Sequence, residues 1–211
     1  MMAEQKVEKP QMPGRACPGQ EIALALGVLD AGGIVACPTE TYYGLCALYS
    51  NISALERIFA LKGREKVKPS PLVAGSIEAL DVLELEIDPV SRSLMERFWP
   101  GPLTIILKTR KELPRYIAKN GKLAIRVPGP SFALELAKAS GTVLTATSAN
   151  PSGLPPATDD CQIAAYFGSR VDLIVKGRAA GGNPSTIVEA RGGKITVLRE
   201  GAIPAGMLEI L

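Results

Sequence analysis

Two rhythms of apolar residues take turns along this chain. Glu21 to Ala31 carries its apolar positions at helical spacing and stops on Gly32-Gly33, which predicts a helix with a glycine end. The apolar string Ile34 to Cys37 follows at once and reads as a strand. Ser53, with Glu56 three residues on, forms a capping-box pattern that opens a helix through Leu61, with Leu55, Ile58 and Phe59 on its apolar face. A short strand at Leu72 to Ala74, a helix over Ser76 to Leu83 and another over Pro89 to Phe98 come next, before Trp99-Pro100-Gly101-Pro102 breaks the chain. Beyond the break the pattern predicts strands at Leu103 to Leu107 and Leu123 to Val127, a helix capped by Ser131 and reaching Ala139, and a strand over Val143 to Ala146. Thr158 or Asp159 opens a helix to Phe167, and short strands at Leu173 to Val175, Thr186 to Glu189 and Ile195 to Leu198 complete the series.

Strands interleaved with helices predict an α/β fold, and several strand pairs with no helix between them make the sheet mixed rather than purely parallel. The expectation is a single domain: one twisted sheet of parallel and antiparallel strands, flanking helices, and a concave ligand cleft. Residues 1–18, polar and proline-containing, are expected to form a flexible tail ahead of a folded domain over 19–211. The chain shows no internal repeat and no low-complexity segment.

Polar groups gather where these elements end. Ser148-Ala149-Asn150-Pro151-Ser152-Gly153 follows the apolar run ending at Ala146, and Ser148 and Asn150 are suited to grip phosphate oxygens or a base edge. A plain turn with Asx-type hydrogen bonds explains the same letters. Lys62 and Arg64 close a helix with a point charge and a bidentate fork, the pairing that holds polyphosphate, although basic residues at a helix C-terminus also simply suit the dipole. Pro38-Thr39-Glu40-Thr41-Tyr42-Tyr43-Gly44 supplies hydroxyls in a strand-to-loop segment, either for a polar substrate or for the turn itself. Asn183-Pro184-Ser185-Thr186 and Arg199-Glu200-Gly201 repeat the theme at two further strand boundaries. Five such places on one rim of a sheet match where α/β folds take ligands.

Composition narrows the chemistry. The chain has 211 residues, and none of them is histidine, which excludes Ser-His-Asp and Cys-His nucleophile systems and every histidine-ligated metal. Cys17, Cys37, Cys46 and Cys161 show no paired zinc-ligand spacing and read as reduced thiols. A net charge of +3 permits phosphate or nucleic-acid ligands without demanding them. No apolar run approaches the roughly 20 residues that a bilayer requires, and the polar opening resembles neither a signal peptide nor an anchor. A cytoplasmic protein with no membrane partner is expected. Walker A and Gly-x-Gly-x-x-Gly motifs are missing, so a nucleotide would need another cradle.

In order, seven strings resemble the YrdC family of threonylcarbamoyl-adenylate synthases: Pro38-Thr39-Glu40-Thr41 with Tyr43-Gly44-Leu45, Lys62-Gly63-Arg64, Phe98 to Thr104, Ala124 to Pro128, Ser148-Ala149-Asn150, Pro184-Ser185-Thr186, and Leu198 to Gly201. The resemblance runs from about Glu21 to Ile203. It implies a nucleotidyltransferase that joins L-threonine, bicarbonate or carbon dioxide, and ATP into threonylcarbamoyl-adenylate, releasing pyrophosphate. The product would feed the threonylcarbamoyl transferase machinery that modifies the tRNA adenosine beside the anticodon. By the same resemblance Lys62 and Arg64 are catalytic and bind ATP with Ser148, Asn150, Ser185 and Arg199, while Thr39 and Arg126 face threonine. Mg2+ would accompany the nucleotide, with Glu40 and Glu189 weak candidates for its ligands. The alternative is a non-catalytic paralogue that binds double-stranded RNA or tRNA; such relatives are expected to lose the Ser-x-Asn motif, which this chain keeps. A carbamoyl-transfer domain of the hydrogenase-maturation type would sit in a longer chain with acylphosphatase and zinc-binding parts. Some family members carry a histidine where Gly75 aligns here, and the chain resembles the short, single-domain form.

Overall fold

The structure, a computed structural model, describes residues 18–63 and 68–208. Five α-helices of the described residues are α1 (Pro18–Asp30), α2 (Ile52–Lys62), α3 (Pro89–Phe98), α4 (Phe132–Ser140) and α5 (Asp160–Phe167). Twelve strands run between them: β1 (Val35–Pro38), β2 (Tyr43–Cys46), β3 (Leu72–Val73), β4 (Leu85–Glu86), β5 (Leu103–Thr109), β6 (Ala118–Lys119), β7 (Lys122–Arg126), β8 (Leu144–Thr145), β9 (Thr147–Ser148), β10 (Leu173–Ile174), β11 (Thr186–Arg191) and β12 (Lys194–Arg199). Of the tail expected over residues 1–18, residues 1–17 lie outside the described residues, and Pro18 belongs to α1 instead.

The expected α/β fold with mixed strand directions is what forms, but as two sheets rather than one. Four strands in the order β10-β1-β2-β9 make the first. The second is ordered β12-β11-β5-β7-β3-β8, with β4 paired to β5 and β6 to β7. Alternation along the strands explains the layering. In β1, Ala36 packs on the α2 and α5 side with Ile58 and Phe167, while Val35 and Cys37 pack on the opposite side with Leu29 of α1 and Leu136 of α4. Both faces of the smaller sheet are therefore covered by helices. Over β5, β7 and β11 the larger sheet buries only one: Ile105, Leu107, Ile125 and Val188 pack with Leu94 and Met95 of α3, whereas at its β3–β8 end Val73 and Leu144 also pack on the other face with Ala133 and Leu136 of α4. Along β5, β7 and β11 the neighbours Thr104, Ile106, Ala124, Arg126, Ile187 and Glu189 point the other way and floor a cleft.

Local chemistry moves several boundaries. Asn51, not Ser53, caps α2: its backbone is extended at φ −88° and ψ 94°, and its side chain accepts from Ala54 N at 3.0 Å. Ser53 already lies inside the first turn, past the only position from which a side chain can cap. Ser131 does cap α4, and Asp159 caps α5. The segment expected as a helix over 76–83 is a tight 3-10 turn at Glu78–Leu83, confined between β3 and β4 with no length for α-helical turns.

The strand expected over Val143 to Ala146 divides. Leu144–Thr145 pairs with β3 in the larger sheet, whereas Thr147–Ser148 pairs with β2 in the smaller one. Ala146 is where the chain crosses between them, with its N–H on Pro71 O at 2.9 Å. β2 itself carries no apolar–polar alternation, because all four of its residues are buried.

Candidate active site

A cleft of about 720 Å³ opens between the two sheets. The smaller sheet contributes the turn after β1, the start of β2 and the end of β9. The larger contributes the polar faces of β5, β7, β11 and β12. Thr39, Arg126, Ser148, Ser185 and Arg199 all line this one space. Lys62 and Asn150 stand behind Ser148, and Arg64 lies outside the described residues.

Thr39 holds its turn closed. Its Oγ1 donates to Tyr42 O at 2.7 Å and accepts from Thr41 N at 3.1 Å, so its single proton is spent inside the turn. Toward a ligand it offers acceptor capacity.

Lys62 is 1 % exposed at the end of α2. Its ammonium donates to Ser148 O, to Asn150 O at 3.0 Å and to Asn150 Oδ1 at 3.3 Å, while Ser152 N donates back to Lys62 O at 2.8 Å. Asn150 Nδ2 in turn donates to Leu154 O at 2.7 Å. The Lys-x-Arg and Ser-x-Asn motifs thus meet physically: the helix end braces the strand end, and Ser148 is the member that reaches the cleft.

Arg126 is 8 % exposed and faces Glu40. The pair is close but loosely aligned. Arg126 Nη2 donates to Glu40 Oε2 over 3.4 Å, whereas Arg126 Nε and Glu40 Oε1, also 3.4 Å apart, are both buried with no hydrogen-bond partner. Burial draws the Arg126 guanidinium below the ordinary arginine value against the opposing pull of Glu40. Arg199 is lowered too, first by burial and then by the positive field of Arg126, so two guanidinium groups share this end of the cleft. Gly129 makes room for Glu40, since a Cβ there would stand 3.2 Å from Glu40 Cγ.

Thr104, Ser185 and Arg199 form a chain. Thr104 Oγ1 and Ser185 Oγ are 2.9 Å apart, and Arg199 Nη2 donates to Ser185 O at 2.6 Å and to its Oγ at 3.2 Å. Gly201 locks these strings together, because a Cβ there would stand 2.1 Å from Pro184 O.

The sequence places Thr104 in the Phe98 to Thr104 string and Lys68, Lys119 and Lys122 in basic clusters, but assigns none of them to the site they line. Two signals were available: Thr104 is the polar residue within the run Leu103 to Leu107, and Asn120-Gly121 is a hairpin dipeptide that sets Lys119 and Lys122 side by side. Five cationic residues against Glu189 line the cleft, and Lys122 Nζ holds that carboxylate at 2.5 Å. Glu40 and Glu189, the weak metal candidates, are thus each paired to a cation. Among the described residues no three acidic, histidine or thiol groups converge on a metal position. An arrangement of this kind binds an extended polyanion through fixed donors and cations.

The family model of Sua5, YciO and YrdC, described as telomere recombination, matches residues 27–201. A threonylcarbamoyl-AMP synthase of Pyrococcus abyssi is 36% identical over 191 residues, which cover 90% of this chain and 56% of that protein. The synthase of Nitrosococcus oceani is 37% identical over 183 residues, 85% of this chain and 98% of that one. Among solved structures, Pyrococcus abyssi Sua5 complexed with L-threonine superposes with a TM-score of 0.85 at 36% identity, over 92% of this chain and 58% of that one. The chain therefore spans little over half of the Pyrococcus protein and nearly all of the Nitrosococcus one. It belongs to the Sua5/YciO/YrdC family.

Proposed function

We propose that the protein is an L-threonylcarbamoyladenylate synthase, acting on L-threonine, bicarbonate or carbon dioxide, and ATP. The observation that carries this reading is the convergence of Ser148, Arg126, Ser185 and Arg199 on one cation-lined cleft, each from a different strand or strand end. The names of the relatives and the threonine complex of Pyrococcus Sua5 support it.

The chemistry asks for positioning and charge cancellation rather than for a strong base. Threonine nitrogen forms a bond to the carbon of carbon dioxide and loses a proton. A carbamate oxygen then attacks the α-phosphorus of ATP as the bond to pyrophosphate breaks. Arg126 is the carboxylate clamp for threonine, with Thr39 beside it. Arg199 and Ser185 hold the nucleotide, with Lys62 and Asn150 fixing Ser148 from behind; Arg64, by its place in the motif, meets the phosphates. Mg2+ enters with ATP, where it neutralises phosphate charge. The labile product passes to the threonylcarbamoyl transferase machinery that modifies tRNA, in the cytoplasm. Among the described residues no helix is long and apolar enough to cross a membrane.

Pyrophosphate release that depends on both threonine and bicarbonate tests this. Arg126→Ala is expected to raise the threonine requirement by at least roughly tenfold, as for loss of a charged substrate contact, and to change the ATP requirement less. Equal effects on the two substrates place Arg126 on the nucleotide, and RNA binding without any such turnover overturns the reading.

A further inference from the structure

Across the β6–β7 hairpin from the cleft lies a second concavity of about 530 Å³. We propose that it is a separate anion site that takes a condensed phosphate of two or three phosphoryl groups. Lys111, Arg115 and Lys119 line it against a single carboxylate, Glu112. Two of these cations are already held in place. Lys111 Nζ donates to Val82 O at 2.9 Å and stands 5.8 Å from the centre of the Tyr49 ring. Arg115 lies over the Tyr116 ring at 5.2 Å and donates from Nη2 to Tyr116 Oη at 3.2 Å. Tyr116 is fixed in turn: its hydroxyl donates to Glu56 Oε1 at 3.0 Å, and its ring meets Phe59 edge-on at 5.0 Å. A cation anchored this way gives up little further freedom when an anion arrives, and an ammonium with one donor engaged keeps two for the ligand.

The hairpin makes the two concavities neighbours. Asn120 and Gly121 turn the chain in the left-handed region, at φ 53° and 68°, and Lys119 and Asn120 line both spaces. Three cations against one carboxylate leave the space a net charge of +2, which favours an anion carrying more than one charge, as a condensed phosphate does. The choice of pyrophosphate as natural occupant rests on the reaction proposed above, which releases it in the neighbouring cleft. The site itself rests on the cavity and its cations.

The test is calorimetric titration of inorganic pyrophosphate into the full chain, with no ATP or threonine present. The wild type is expected to show two classes of binding. Arg115→Glu should weaken one of them by at least roughly tenfold, the scale of a lost charge-assisted contact, while Arg115→Lys retains it. Lys138→Glu, a charge reversal on α4 outside both concavities, should leave both classes unchanged. A single class abolished by Arg115→Glu supports the second site while counting against pyrophosphate in the cleft. Isotherms that Arg115→Glu leaves unaltered overturn the proposal, as does equal weakening by Lys138→Glu. Orthophosphate binding as tightly as pyrophosphate overturns the assignment to a condensed phosphate.

Discussion

Lys62 carries a formal charge into a place that is 1 % exposed, where carbonyl oxygens of residues 148 and 150 accept from its ammonium. Its position in a Lys-x-Arg motif at a helix end suggests a phosphate contact. Its side chain reaches the backbone of residues 148 and 150, behind the Ser148 that lines the cleft. Sequence spacing shows where a lysine starts but not which way four methylenes bend. That is why the motif was legible and the geometry was not. Lys62→Met leaves the Ser148 and Asn150 carbonyls buried without this donor, and it is expected to cost about 1.5–3 kcal/mol of stability, the range for a hydrogen bond to a charged group. The measurement is the urea midpoint. Wild-type stability in this variant, together with lost ATP affinity, would mean that the ammonium serves the nucleotide rather than the fold.

Whole elements were easier to read than their ends. Helices α3 and α4 and strands β5, β7 and β11 all lie where the apolar rhythm puts them, within a residue or two. The short strands β2, β4, β6 and β9 escaped because two to four residues carry too little alternation to register, and β2 is buried on both faces. Ala146 escaped for another reason: nothing local distinguishes a continuing strand from one that changes sheets, and only the pairing partners decide. Gly75 is a similar case. It aligns with a histidine of some relatives, yet here a Cβ would stand 2.6 Å from the backbone N and Cα of Lys138 in α4. Gly75→Ala therefore forces α4 away from β3 and is expected to destabilise by about 1–3 kcal/mol, as overpacking does. Thermal unfolding checks this, and an unchanged Tm would mean that α4 shifts freely.

At the scale of the molecule, the fold divides its labour between its sheets. The smaller is clad in helices on both faces, while the larger keeps one face of β5, β7 and β11 bare as the cleft floor. That division was beyond the sequence, because a strand facing a polar cleft and a strand facing solvent show the same alternation. Convergence of the polar clusters on one rim was legible, since each followed the end of a predicted element. The crowding of Arg126 and Arg199 was not, as the two are 73 positions apart in the chain and brought together only by the β7-β5-β11-β12 order.

The guanidinium groups that repel each other at one end of the cleft, with the lysines that also line it, act on a ligand before contact. Their field reaches about 8 Å into solvent at physiological ionic strength, so a polyphosphate is drawn inward during diffusion. The association rate of a nucleoside triphosphate, followed by stopped flow, should fall steeply between low and physiological salt, while its dissociation rate changes far less. Equal salt sensitivity of the two rates would mean that these cations act only on contact. The cleft is then a collector as well as a container, and capture speed is set by charges that neither make nor break a bond.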